Sequence, residues 1–184
     1  MSFVFPQQIT DATIVLRQWR PEDFDFYAAY VGNEVTARFY GGVMDKQRAW
    51  RHLASVIGHW TLRKFGVYAA ASRLGGDLQG CVGLWQPHDW PCREFVFWFT
   101  AEAYASGRAL AAARLGIDAV RAARNPHEIV TTFIHPENQQ ALSLAYSLGG
   151  VARGEEPLFD FGQHVRIEYG DSSPNPMPRG LDPC

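Results

Sequence analysis

Cysteine is scarce in this chain: Cys81, Cys92 and Cys184 are the whole complement among 184 residues. An odd number, widely spaced and without a C-x-x-C pair, excludes a disulfide framework and points to reduced thiols in a cytoplasmic protein. An excess of one charge is also missing, since 17 Lys and Arg stand against 19 Asp and Glu, and no basic block interrupts the balance. Bulk capture of nucleic acid or of an anionic membrane is therefore not expected. No apolar run approaches the roughly 20 residues that span a bilayer, and the opening MSFVFPQQITDA has neither a basic stretch nor a continuous apolar one. GxGxxG and Walker A sequences are absent, and His127-Glu128 is not followed by the second histidine of HExxH.

What remains is a composition of 47% hydrophobic, 14% aromatic and 20% charged residues, enough to bury a core. The length fits a single domain over residues 1–170, followed by a proline-rich tail over 171–184. Thr13 to Trp19 alternates like a strand. Arg20-Pro21-Glu22-Asp23 then predicts a helix start, with Pro in the first turn and acids at the positive end of the dipole, and the helix runs through Val31. Val31 to Val43 reads as a loop. Asp45 to Lys64 places Trp50, Leu53, Ile57 and Trp60 at helical spacing, with His52 and His59 on a solvated face. Phe65 to Ala71 and Gly80 to Trp85 form a hairpin, and Glu94 to Thr100 is a strand for the middle of the sheet.

Leu110, Ala113, Ile117 and Val120 define an amphipathic helix within Gly107 to Arg124, and Ile129 to Ile134 is a buried strand. A helix from Asn138 to Leu148 ends at Gly149-Gly150, and strands follow at Val151 to Arg153 and Val165 to Tyr169. The order describes an α+β domain rather than a doubly wound nucleotide fold.

The chemistry concentrates where the strand EFVFWFT runs through AEAYASGRAL into a helix. The first turn of a helix carries unpaired N–H groups at the positive end of the dipole, and small residues let a phosphate approach the backbone. Ser106 adds a hydroxyl and Arg108 a cation. Taken alone, the pattern fits a phosphate site or an ordinary strand-to-helix connection.

With the order of elements, this turn resembles the GNAT superfamily of acetyl-CoA-dependent N-acetyltransferases over Thr13 to Tyr169, in particular the branch acting on ribosomal-protein N-termini and related small amines. Four pieces carry the resemblance: LRQWRPED from Leu16, RFYGG from Arg38, Glu94 to Ala109, and HPENQQA from His135 with Leu148-Gly149. The resemblance implies a mostly antiparallel central sheet whose fourth and fifth strands splay apart, with helices on both faces. Acetyl-CoA is then the acetyl donor, its pantetheine arm pairing with the backbone of Phe97, Trp98, Phe99 and Thr100. The pyrophosphate falls to Tyr104, Ala105, Ser106, Gly107, Arg108 and Ala109, and Asn138 contacts the arm. The chain departs from the family pattern at Tyr104, where Arg, Gln or Trp is usual, at Ala105, where a further Gly is usual, and at Gly150, where Phe is usual. The frequent tyrosine four residues before the late Gly is here Ala145, with Tyr146 one step on, about 100° around the helix.

For direct attack of an amine on the thioester, the resemblance assigns Glu94 as general base, and burial at the start of an apolar strand would raise its pKa to suit. Glu94 could equally cap the strand edge or pair with an Arg. Tyr146, with Ser143 behind it, is the candidate acid, and a packing role is its alternative. A backbone N–H near Trp98 to Thr100 is the oxyanion donor. The acceptor is a small-molecule amine or a peptide N-terminus, with Arg38, Tyr40, His59 and Trp60 as wall candidates. No metal site is expected, since His88-Asp89-Trp90-Pro91-Cys92 lies in a loop with two prolines, Pro87 and Pro91, and has no second ligand cluster. Two rival readings are a non-catalytic acyl-CoA-binding or sensing module with the same fold, and a homodimeric interaction protein whose tail crosses to a partner subunit.

Overall fold

A computed structural model describes residues 5–125 and 128–170, so His127, Cys184 and the tail over 171–184 lie outside the described residues. The polar lead-in supplies an edge strand that its single apolar residue did not announce, β1 (Gln8–Thr10). It pairs with β2 (Ile14–Arg17) through a turn in which the Asp11 carboxylate accepts the Thr13 and Ile14 N–H groups at 2.6 and 2.7 Å. Pro21 opens one 3₁₀ turn that continues into α1 (Phe24–Val31). Arg17 of β2 donates two hydrogen bonds to Asp23, at 2.7 and 2.9 Å, and ties that helix start to the sheet.

Within the expected loop 31–43 stands one helical turn, α2 (Glu34–Ala37), because Asn33 accepts the Val35 and Thr36 N–H groups as an N-cap. Asp45 caps α3 (Lys46–Arg63) by accepting from the Arg48 N–H at 2.7 Å. The buried stripe of α3 is shifted from the expected one: Ala49, Leu53, Val56, His59 and Trp60 face inward, while Trp50 is 61% exposed. The small Ala49 lies against α1 in the place the sequence pattern gave to Trp50. His59 is likewise in the interior, its Nδ1 bonded to the Phe65 carbonyl at 2.9 Å and its Nε2 accepting the Gln86 N–H at 3.1 Å.

The remaining elements are β3 (Val67–Ser72), β4 (Leu78–Trp85), β5 (Glu94–Phe99), α4 (Ala101–Ala105), α5 (Arg108–Ala123), β6 (Val130–Ile134), α6 (Gln139–Ser147), β7 (Val151–Pro157) and β8 (Gln163–Tyr169). They build one eight-stranded sheet in the order β1-β2-β3-β4-β5-β6-β8-β7. Every neighbouring pair is antiparallel except β5 with β6. With β1 set aside as an edge addition, these two are the fourth and fifth strands. Gly149, at φ +85°, ends α6 in the left-handed region, and a Cβ on Gly150 would stand 2.5 Å from the Ile167 side chain and 2.8 Å from the Ala145 carbonyl. The aromatic usual at that position has no room here.

Alternation along β5 divides the core. Phe95, Phe97 and Phe99 join Val82, Leu84, Ile117 and the rest of the α5 and α6 side. Trp98 joins Trp19, Tyr27, Leu53, Val67 and Cys81 on the α1 and α3 side, with Val96 packed against them. The domain is thus α+β with helices on both faces of a mostly antiparallel sheet. Among the described residues no helix is long and apolar enough to cross a membrane.

Candidate active site

β5 and β6 share a single register pair, Glu94 with Thr131, and then diverge. On its other side β5 remains paired with β4 along its length. Backbone groups of β5 that face the gap must find partners. The Phe97 carbonyl takes the Tyr40 hydroxyl, which donates to it at 3.4 Å, and Tyr40 also hydrogen-bonds the Asn138 side chain. Asn138 in turn caps α6 by accepting the Ala141 N–H at 3.2 Å.

Glu94 stands where the strands part, and its side chain is buried. One carboxylate oxygen accepts the Phe133 N–H at 3.2 Å and the other accepts the Trp90 indole N–H at 2.8 Å. Burial pushes its pKa from an ordinary 4.5 up to about 7, and those two hydrogen bonds to the ionised form hold it from going further. A carboxyl poised there is matched to proton transfer near neutral pH.

Glu94, Val96 and Trp98, on one face of β5, line a cavity of about 210 Å³ between the sheet and α1 and α3. Its walls are aromatic. Tyr30 stacks on Trp98 with ring centroids 3.7 Å apart, Trp19 lies 6.1 Å from Trp98, and Tyr27 meets Trp19 edge-on at 5.1 Å. The Tyr27 hydroxyl hydrogen-bonds His52 Nδ1, and burial lowers the His52 pKa, which favours the neutral imidazole. At the opposite end the cavity reaches Phe133, His135, Leu158, Phe161 and His164.

Beyond β5, Thr100 caps α4 by accepting the Ala103 N–H at 3.1 Å, and α4 ends in an exposed turn at Ser106 and Gly107. Gly107 has φ +75° and is the N-cap of α5, and a Cβ placed on it meets nothing within 4 Å. The space beside Gly107 is open, and the N–H groups of the first α5 turn have no intrahelical acceptor. Arg108 turns away from this opening: its Nε donates to Gln79 Oε1 at 2.8 Å and its Nη2 to Glu102 Oε1 at 2.5 Å. An anion here meets backbone N–H groups and the helix dipole rather than a guanidinium.

The sequence matches the family described as the Acetyltransferase (GNAT) domain over residues 13–151. The chain belongs to the GNAT acetyltransferase family. Solved structures share its fold at low identity. An acetyltransferase from Agrobacterium tumefaciens superposes with a TM-score of 0.74 at 19% identity, covering 93% of this chain and 98% of that one. A GNAT-family acetyltransferase from Bacillus anthracis gives 0.72 at 12% identity, covering 88% and 97%. The ribosomal-protein-S5-alanine acetyltransferase from Vibrio fischeri gives 0.69 at 13% identity, covering 92% and 99%. No curated protein matches the chain.

Against the GNAT expectations, Glu94, Phe97, Trp98 and Asn138 come together around the one cavity. Phe99 is buried, with Tyr104 packed edge-on against it at a centroid distance of 5.9 Å. Ala105, Ser106 and Gly107 form the exposed turn and Ala109 is buried behind it. The Ser106 hydroxyl donates back to the Glu102 carbonyl at 2.7 Å, leaving its lone pairs for other partners. Tyr146 is 49% exposed and is not among the cavity residues, while Ala145 before it is fully buried. The single step along α6 turns the tyrosine to solvent, and Ser143 is exposed as well. Of the wall candidates, Tyr40 lines the cavity; Arg38 lies exposed over the Phe39 ring, and His59 and Trp60 pack in the interior elsewhere. Trp90, Tyr30, Tyr27 and His52 belong to the site without any sequence signal as ligands. They reach it from a proline-bracketed loop and from two helices whose packing only the tertiary structure sets. Among the described residues no group of three or more His, Cys, Asp or Glu could hold a metal ion.

Proposed function

We propose that this GNAT domain transfers the acetyl group of acetyl-CoA to a primary amine by direct attack. The observation that carries the reading is the buried Glu94 carboxyl, poised near neutrality at the parting of β5 and β6 and open to the cavity. The residues fit the donor: the Phe97 carbonyl is met by a side-chain hydroxyl rather than a neighbouring strand, and the free space before Gly107 would admit a phosphate. Bound acetyl-CoA supplies an acyl group activated as a thioester.

The chain's own residues then divide the work. The backbone around Phe97 to Phe99 pairs with the extended arm as an added strand, displacing the Tyr40 hydroxyl from the Phe97 carbonyl. The first turn of α5, with Gly107 at its head, holds the pyrophosphate through N–H groups. Glu94 accepts the proton of the acceptor's ammonium, freeing the nitrogen lone pair to form the new C–N bond as the C–S bond breaks, and the second proton leaving the nitrogen passes to the departing thiolate, giving the amide and the free CoA thiol. An exposed Tyr146 is poorly sited to protonate the departing sulfur, and we assign the hydrogen bond to that sulfur to Tyr40, whose hydroxyl burial keeps well above the usual phenol range and so protonated.

Incubation with acetyl-CoA and a panel of primary amines, read by thiol release and by the mass of the product, tests the proposal. Amine-dependent release of CoA with an N-acetylated product is expected. Acetyl-CoA binding without transfer to any amine would select the non-catalytic acyl-CoA-binding module instead.

A further inference from the structure

Resting on the acetyl-transfer reading, we infer that His59 is a positioning residue for the reaction: its imidazole holds the loop that delivers the Trp90 indole to the Glu94 carboxyl. His59 lies on α3, 5% exposed, and is not among the residues that line the cavity. It meets backbone at two places. Nδ1 is 2.9 Å from the Phe65 carbonyl, and Nε2 is 3.1 Å from the Gln86 N–H. A carbonyl only accepts and an N–H only donates, so Nδ1 carries the proton and Nε2 is bare. One neutral tautomer satisfies both partners, and burial, which lowers the His59 pKa, favours that form.

The Gln86 N–H needs this partner because of where it stands. β4 runs beside β3, and the Leu84 N–H still finds the Gly66 carbonyl at 3.1 Å. Two residues on, by the alternation of a strand, the Gln86 N–H turns to the same side, but β3 begins only at Val67 and no longer accompanies it. The His59 ring takes the place of the missing strand. The ring is itself held, stacked on Trp85 with centroids 4.8 Å apart and edge-on to Phe65 at 5.2 Å.

From Gln86 the contacts lead to the site. Pro87 follows with φ fixed by its ring, and its carbonyl accepts the Trp90 N–H at 3.3 Å, closing a turn in which Asp89 takes φ +59°. The Trp90 indole then donates to Glu94 at 2.8 Å. The far end of the loop is anchored separately, by Arg93, which pairs with Glu128 at 2.8 Å and lies over the Phe65 ring. His59 anchors the near end. Arg63 of α3 acts on His59 through its charge, Tyr169 of β8 feels the charge of Glu94, and His52, His135 and His164 share the cavity with that carboxyl. Substitutions at position 59 leave all of these in place.

The test uses the reach of two amides. Asparagine carries its amide where Nδ1 stands and leaves nothing at Nε2, whereas glutamine extends to the Nε2 position and can accept there. The readout is the carbon-13 signal of the Glu94 carboxyl in glutamate-labelled protein, assigned with Glu94→Gln and followed against pH. His59→Asn is expected to raise the Glu94 midpoint by about half a unit or more, as the indole loses its hold on the carboxylate, and His59→Gln to leave it within about 0.2 unit. Gln86→Pro deletes the same N–H from the loop's side; it should match His59→Asn, and it replaces that variant if the variant does not fold. In a Trp90→Phe background, His59→Asn should add no further shift. An unmoved midpoint in His59→Asn or in its replacement, equal shifts with Asn and Gln, or an added shift in the Trp90→Phe background overturns the inference. The carboxyl signal needs no turnover, so a failure of acetyl transfer, seen as no CoA release with any amine, is read apart from it. Where transfer occurs, the rising limb of the rate profile should move with the midpoint, and a limb that stays in place overturns the inference.

Discussion

The Glu94 carboxylate accepts the Phe133 N–H at 3.2 Å, so a side chain of β5 fills the ladder position that opens when β5 and β6 diverge. One residue thereby joins the two halves of the sheet, sits at the head of the gap and titrates near neutrality. Structural and chemical roles coincide in it, and variants separate them.

Glu94→Gln should lower kcat by about 10²- to 10⁴-fold, the usual contribution of a positioned base, with acetyl-CoA affinity little changed. In the unaltered protein the rate should rise with pH through about 7, as Glu94 loses its proton, and level off above. Steady-state rates across pH, set beside calorimetry with acetyl-CoA, check both statements. An unchanged pH profile in the variant would leave Glu94 with its structural role alone.

The same shift has a stability consequence. Folded, Glu94 ionises near 7; unfolded, it ionises near its ordinary 4.5. Between those values the unfolded chain has released the proton and the folded chain has not, so stability falls as pH rises through the interval. The full shift corresponds to a loss on the order of 3 kcal/mol. Melting temperatures measured in parallel at about pH 5 and about pH 8 should show the unaltered chain losing several degrees relative to Glu94→Gln. Parallel curves would contradict it.

Trp90→Phe removes the indole N–H from the ionised Glu94 while keeping an aromatic ring in the loop. Hydrogen bonds to charged groups are worth about 1.5 to 3 kcal/mol, so the rising limb of the pH profile should move up by about one unit or more. Rates on the plateau at high pH should change much less. A profile that stays in place would show that Trp90 does not tune the base.

Much of this was legible in the sequence. The apolar strand from Glu94, the helix start at Asn138, the stop at Gly149 and the turn at Gly107 are local signals, and the structure keeps each of them. The shifted stripe of α3 was not legible, because Ala49 and Trp50 both suit a helix and the approach of α1 decides which of them is buried. The inward turn of Tyr40 and the outward turn of Tyr146 depend likewise on how distant segments meet β5 and β6. Trp90 reaches Glu94 from a loop whose prolines announce a turn but not its direction.

Tyr40→Phe removes the hydroxyl that stands in for a strand at the Phe97 carbonyl. Acetyl-CoA no longer has to displace it, so binding should tighten by a few-fold while kcat falls through the loss of the donor to the departing sulfur. Tyr146→Phe, by contrast, should leave kcat within about twofold, as expected for an exposed side chain. Reversed effects of the two substitutions would return the acid to α6.

The central claim is that the gap beside β5 and the turn at Gly107 together hold acetyl-CoA, and calorimetric titration of the purified chain tests it most directly. Acetyl-CoA and free CoA should each bind at one site per chain while ATP alone should not, and Gly107→Ala should weaken both by about tenfold or more, since its methyl group enters the space left for the phosphate and strains a left-handed residue. Absence of heat with acetyl-CoA, or equal affinity in Gly107→Ala, would contradict the account.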